Sequence, residues 1–149
     1  MSRFRPAILV TCAALCVAAD APVGNDDDAK LKGLWAMTSV TVRGVRQPDD
    51  PTAGALITAL DGESYLQKRG SEILEEGTYE IDPVKTPRAI DFVIKSGADS
   101  GKRRLGIYEL EGNTLKVAVA SVTASKRPKD FGASRSSDVS VIVSRRYRP

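Results

Sequence analysis

Arg103-Arg104-Leu105-Gly106-Ile107-Tyr108-Glu109-Leu110, then Glu111-Gly112-Asn113, then Thr114-Leu115-Lys116-Val117-Ala118-Val119-Ala120, is a pair of β-prone runs around a short turn centred on glycine. The pattern predicts a hairpin. Side chains alternate along a strand, so Tyr108 and Leu110 share one face, as do Leu115, Val117 and Val119. Upstream the same period of two continues. Leu34–Val42 is a strand entered through Gly33. Ala55–Leu60 and Ser64–Lys68 flank the hairpin signal Asp61-Gly62-Glu63. Gly77–Asp82 puts Gly77, Tyr79 and Ile81 on one face and stops at Pro83, which cannot donate to a ladder. Ala89–Ile94 aligns Ile90, Phe92 and Ile94. Downstream, Val139–Arg146 is rich in β-branched residues.

These runs make eight expected strands, mostly joined by tight turns, with only Ser71–Glu76 set aside as a short turn. The chain is therefore all-β, and an eight-stranded antiparallel up-and-down barrel is the expected architecture, since closure removes exposed sheet edges. A sandwich is the alternative, but strands covered on both faces would not alternate so cleanly.

At 149 residues, with 42% hydrophobic and 28% charged side chains, the composition suits one globular domain. A formal charge of +3 is too mild to argue for nucleic acid. Lys102-Arg103-Arg104 and Arg145-Arg146-Tyr147-Arg148 are basic clusters that would suit an envelope surface or an acidic protein partner, although solvating charge accounts for them as well.

Residues 1–19 read as a signal peptide. Arg3 and Arg5 form a basic start, Ala7 to Val17 is apolar, and Val17-Ala18-Ala19 offers cleavage before Asp20. The apolar run is too short for an ordinary transmembrane helix. A lipoprotein anchor fits less well, because Cys12 follows Thr11 and Cys16 follows Leu15 instead of a small residue. These are the chain's two cysteines, so a chain beginning at Asp20 is exported, to the periplasm or beyond, with no disulfide to staple it. Residues 20–30, with Pro22, Gly24 and Asn25-Asp26-Asp27-Asp28, read as a flexible linker, and residues 31–149 as the barrel domain.

Gly33-Leu34-Trp35 opening the first strand resembles the Gly-x-Trp start of lipocalins. The Arg145-Arg146 pair resembles the arginine that packs across that Trp in the same fold, with the choice between the two open. More closely, the chain resembles a small secreted lipocalin-like domain family, abundant in planctomycete bacteria, to which no function is assigned. The matching stretches include Leu31-Lys32-Gly33-Leu34-Trp35, Glu76-Gly77-Thr78-Tyr79, Pro87-Arg88-Ala89-Ile90-Asp91-Phe92, Leu105 to Leu110, Gly112 to Val117 and Arg127-Pro128-Lys129-Asp130-Phe131. Ala118 and Val119 stand where relatives often carry a Cys and an aromatic. The resemblance implies a fold and no activity.

The chain has no His, which excludes Ser-His and Cys-His nucleophile systems and His-based zinc sites. No phosphate-cradling loop or dinucleotide fingerprint is present. Glu75-Glu76 and Asp49-Asp50 are adjacent carboxylates, and neighbours on a strand point to opposite faces, so neither is a working acid and base pair. The expectation is a non-enzymatic module with no cofactor and no metal. In one form it holds a small apolar molecule inside the barrel. In the other it is a structural or interaction domain with a filled core. Trp35 is expected to plug one end. Period two would then place Met37, Ser39 and Thr41 on the same inner face, leaving the barrel roomier beyond the Trp. Trp35, Met37, Tyr79, Phe92 and Tyr108 are the expected lining of a ligand site.

Overall fold

In a computed structural model, which describes residues 26–50, 52 and 54–149, a short helix α1 (Asp26–Leu31) precedes nine strands. They are β1 (Gly33–Val42), β2 (Val45–Pro48), β3 (Leu56–Leu60), β4 (Ser64–Arg69), β5 (Glu72–Asp82), β6 (Ala89–Gly97), β7 (Arg103–Glu111), β8 (Thr114–Ala120) and β9 (Val139–Tyr147). All pairings are antiparallel, in the order β2-β1-β3-β4-β5-β6-β7-β8-β9, and β1 closes the sheet onto β9. Both β2 and β3 pair with the same side of β1, β2 along Ser39–Val42 and β3 along Gly33–Ala36. Running in the same direction, they fill a single stave, so the closed barrel has the eight positions expected from the sequence.

Three local expectations are corrected. The turn expected at Ser71–Glu76 is only Gly70-Ser71, and β5 begins at Glu72. The four residues of β2 are all exposed and carry no alternation that period two would detect. Within residues 20–30, Asp26 onward is helix, not spacer. Asp26, Asp27 and Asp28 occupy its first turn, where negative charge meets the exposed amide ends. Asp26 pairs with Lys30 and Asp28 with Lys32 (3.7 Å), each four residues on. The leader at 1–19 and residues 20–25 lie outside the described residues.

The strands leave the barrel with two different ends. α1 and the turns at 61–63, 83–88 and 112–113 gather at one end, called here the floor. The turns at 43–44, 70–71, 98–102 and the long connection 121–138 gather at the other, the mouth. Leu31, Trp35, Leu60, Tyr65, Tyr79, Ile90, Tyr108, Leu115 and Val117 pack inside as one buried cluster.

A second, smaller cluster lies on the outside of the wall. Ile107, Ala118 and Val141 are covered there by Phe131 and Ala133 of the 121–138 connection. Arg127 fastens this strap. It donates to Gly106 O (2.7 Å) and binds Asp91 with both terminal nitrogens, and Arg103 reaches the same carboxylate at 2.7 Å. Burial opposes the Asp91 charge, but the hydrogen bonds from Arg127 and Arg103 outweigh it and hold the carboxyl below its usual range.

A depressed folded-state value gives stability that is complete above the unfolded value of about 4 and lost as pH falls through the folded value. Asp91→Asn is expected to cost about 2 kcal/mol at pH 7, the scale of charge-assisted hydrogen bonds. Urea midpoints measured from pH 7 to pH 2 should show the gap between mutant and wild type narrowing below pH 4. A gap independent of pH would refute the assignment.

Candidate functional site

Trp35 forms the floor. Its indole Nε1 donates to Leu31 O at 2.8 Å. The Arg146 guanidinium lies 4.2 Å from the ring centroid and donates to Lys32 O (2.8 Å) and to Lys30 O. One indole and one arginine therefore take up the carbonyls at the end of α1, which its own amides cannot reach. The arginine that crosses the Trp is thus Arg146, while Arg145 pairs in register with Ala36 and Thr114.

The two phenols expected to face a ligand are committed to this floor. Tyr108 donates to Asp27 Oδ2 at 2.7 Å, and Asp27 also meets Arg88 at 3.1 Å. Tyr79 accepts from the backbone amide of Gly62 at 2.8 Å. Burial pushes the Tyr79 hydroxyl up to about 12. Burial, and then the bond to Asp27, push Tyr108 up as well. Tyr79 and Tyr108 are buried, but neither lines the open cavity.

That cavity lies on the mouth side of Trp35. Its volume is about 60 Å³, and its walls include Trp35, Leu60, Ile90, Phe92, Leu115, Val117, Val119 and Ile142. A water's share of liquid is about 30 Å³ and a benzene-holding cavity about 150 Å³, so the space fits a few heavy atoms as it stands. Of the five expected lining residues, Trp35 and Phe92 are there, and Met37, Tyr79 and Tyr108 are not.

The expected widening beyond Trp35 fails for a specific reason. The β1–β9 register slips between Met37 and Ser39, inserting Thr38 as a bulge. Met37 still pairs with the cavity-lining Ser144. After the slip, however, Val40 pairs with the cavity-lining Ile142, whereas Ser39 and Thr41 pair with Val143 and Val141. Directly opposed residues share a face, so Ser39 and Thr41 lie on the outer side.

Thr58, Gln67 and Ser144 bring neutral polar groups to the cavity, and one wall carries charge. Glu75, buried with 8% of its surface exposed, accepts on Oε1 from the Tyr65 hydroxyl (2.8 Å) and from Arg104 (2.7 Å). Arg104 uses its other terminal nitrogen to hold Asp99 Oδ2 at 2.9 Å on the mouth turn, and Lys102 also binds Asp99. Asp99 is lowered in turn by these two donors, Lys102 first. Tyr65 is raised, first by burial and then by its bond to Glu75, so it stays protonated and serves as a donor.

The backbone arranges this cluster. Tyr65 pairs with Gly77, and a Cβ on Gly77 would sit 3.0 Å from the Tyr65 ring, so the missing side chain is the space the phenol crosses to reach Glu75. The ring is held from the other side by Phe92, edge-on at 5.0 Å. Carrying the alternation of Tyr79 and Gly77 back two more residues would have found Glu75. Setting Ser71–Glu76 aside as a turn hid it.

Among the described residues no group of three or more His, Cys, Asp or Glu side chains is placed to share a metal ion. No described helix is long and apolar enough to cross a membrane. What the arrangement offers chemically is a mostly apolar cup with one carboxylate, one guanidinium and one phenol donor, and with the neutral polar side chains of Thr58, Gln67 and Ser144 also on its lining. In comparison with known proteins, no family model matches the chain, and neither a curated protein nor a solved structure matches it.

Proposed function

We propose that the chain is an exported, non-enzymatic binding module that holds a small, mainly apolar molecule in the mouth half of the barrel. The observation that carries the reading is the cavity of about 60 Å³ above Trp35, mostly apolar, with Thr58, Gln67 and Ser144 as neutral polar lining and one charged cluster of Glu75 and Arg104 joined by Tyr65. Apolar walls with a few placed polar groups are the usual character of a small-ligand site. The absence of His from the chain and the clamping of Glu75 by two donors favour binding over turnover. Export rests on Arg3, Arg5 and the Ala7–Val17 run.

A structural or envelope-interaction domain is the second reading. It is favoured by the smallness of the space and by the rings of Tyr65, Phe92 and Tyr79 packed across the interior, with Phe92 5.0 Å from Tyr65 and 6.4 Å from Tyr79.

Native mass spectrometry of protein purified from its own envelope separates the two. The binding module should carry a small organic adduct that is lost on denaturation, on a chain whose mass begins at Asp20. A bare chain from the native source would favour the filled-core reading, and a mass that retains Met1 would end the export reading.

A further inference from the structure

The polar wall restricts what the cavity can hold, and this deepens the binding-module reading, on which it rests. Each carboxylate oxygen has two acceptor sites. Glu75 Oε1 uses both, one for Tyr65 and one for Arg104, while Oε2 makes no hydrogen bond to the described residues. Glu75 and Arg104 both line the cavity, and the Glu75 side chain is nine-tenths buried. Arg104 has five N–H donors, and its contacts on this wall are one to Glu75 and one to Asp99, so donors remain. The wall therefore presents an acceptor and a donor side by side, with the charges of Glu75 and Arg104 already matched.

We propose that the ligand is a neutral amphiphile carrying a hydroxyl, a short-chain alcohol in its simplest form, which donates to Glu75 Oε2 and accepts from Arg104. A hydroxyl is the smallest group that does both. A carboxylate would be brought against Glu75 and an ammonium against Arg104, each entering a low-dielectric barrel with no spare countercharge. The hydrocarbon end lies on Ile90, Leu115, Val117 and Ile142, above the Trp35 indole. The small volume limits it to a few carbons unless Arg104 moves aside.

Three probes of equal chain length test the assignment: 1-butanol, butanoate and butylammonium. Each is titrated into the folded chain at pH 7 while the Trp35 indole N–H resonance is followed by NMR. Butanol should bind at least about tenfold more tightly than either ion, since a like charge set against a buried one costs more than that factor. Glu75→Gln removes the negative wall, and butanoate should then overtake butanol. Tyr65→Phe keeps the ring and the Glu75 charge, so butanol should remain preferred. It also serves as the control should the Glu75 variant fail to fold.

Butanoate or butylammonium binding as tightly as butanol to wild type would overturn the hydroxyl assignment, as would an unchanged order in a folded Glu75→Gln. Failure of the binding-module reading looks different. In that case none of the three probes moves the Trp35 resonance.

Discussion

Trp35→Ala should unfold the barrel more readily than any other single truncation, with a loss of about 3–5 kcal/mol, the range for emptying a buried Trp site. The indole is completely buried, and its removal strips the partner from Leu31 O and the ring from beneath Arg146. For a domain of this size the loss corresponds to roughly 10–20 °C in Tm. The two terminal arginines should behave differently. Arg146→Ala gives up the contact with the ring and the bonds to Lys30 O and Lys32 O, whereas Arg145→Ala should stay within about 0.5 kcal/mol, as exposed substitutions do. Calorimetry on the three variants decides it. Equal losses for the two arginines would refute the stacking role, and native Trp emission at the wavelength of a fully exposed indole would refute the plug.

Gly77→Ala is the second large effect. A Cβ there would lie 2.0 Å from Val93 O and 3.0 Å from the Tyr65 ring. Its nearest neighbour is backbone in a paired strand, which has nowhere to move, so the cost should reach the top of the usual overpacking range, about 3 kcal/mol. Gly112→Ala is the matched control. Its φ of 56° is unfavourable for alanine, but nothing lies within 4 Å of the added carbon. It should lose only about 1 kcal/mol. Urea midpoints in which Gly77→Ala is no worse than Gly112→Ala would contradict the close packing of β5 on β6. The same substitution should displace the Tyr65 phenol from Glu75, so it reports on the cavity wall as well as on the barrel.

The parts of the molecule that could be read from residues alone are those ruled by a repeating pattern. Alternation in Ile90, Phe92 and Ile94, or in Leu115, Val117 and Val119, reports a face directly, and Asp61-Gly62-Glu63 and Glu111-Gly112-Asn113 report turns. What could not be read depends on a single residue out of step. Thr38 shifts the phase of β1 by one, and every later side chain on that strand changes sides, so Ser39 and Thr41, which unbroken alternation from Trp35 turns inward, face outward. α1 escaped because six residues are too few to show a helical period, and its stability comes from docking. Leu31 is wholly buried, and Asp27 binds Tyr108, a residue far along the chain. Glu75 escaped for a related reason. Charged residues are almost never fully buried without partners, and its partners, Tyr65 on the neighbouring β4 and Arg104 two strands away on β7, are set by a register that alternation alone does not give.

The placement of α1 and of the last strand has a practical consequence for attachment. Asp26 begins the helix beneath the floor, and β9 delivers Tyr147 to the same end, where it pairs with Leu34. The described chain therefore both begins and ends on the side away from the mouth. Tethered closely after Pro149 to a bead, a sensor chip or a cell surface, the barrel would stand with its opening toward the surrounding solution. A partner fused closely after Pro149 would crowd α1 before it obstructed the cavity.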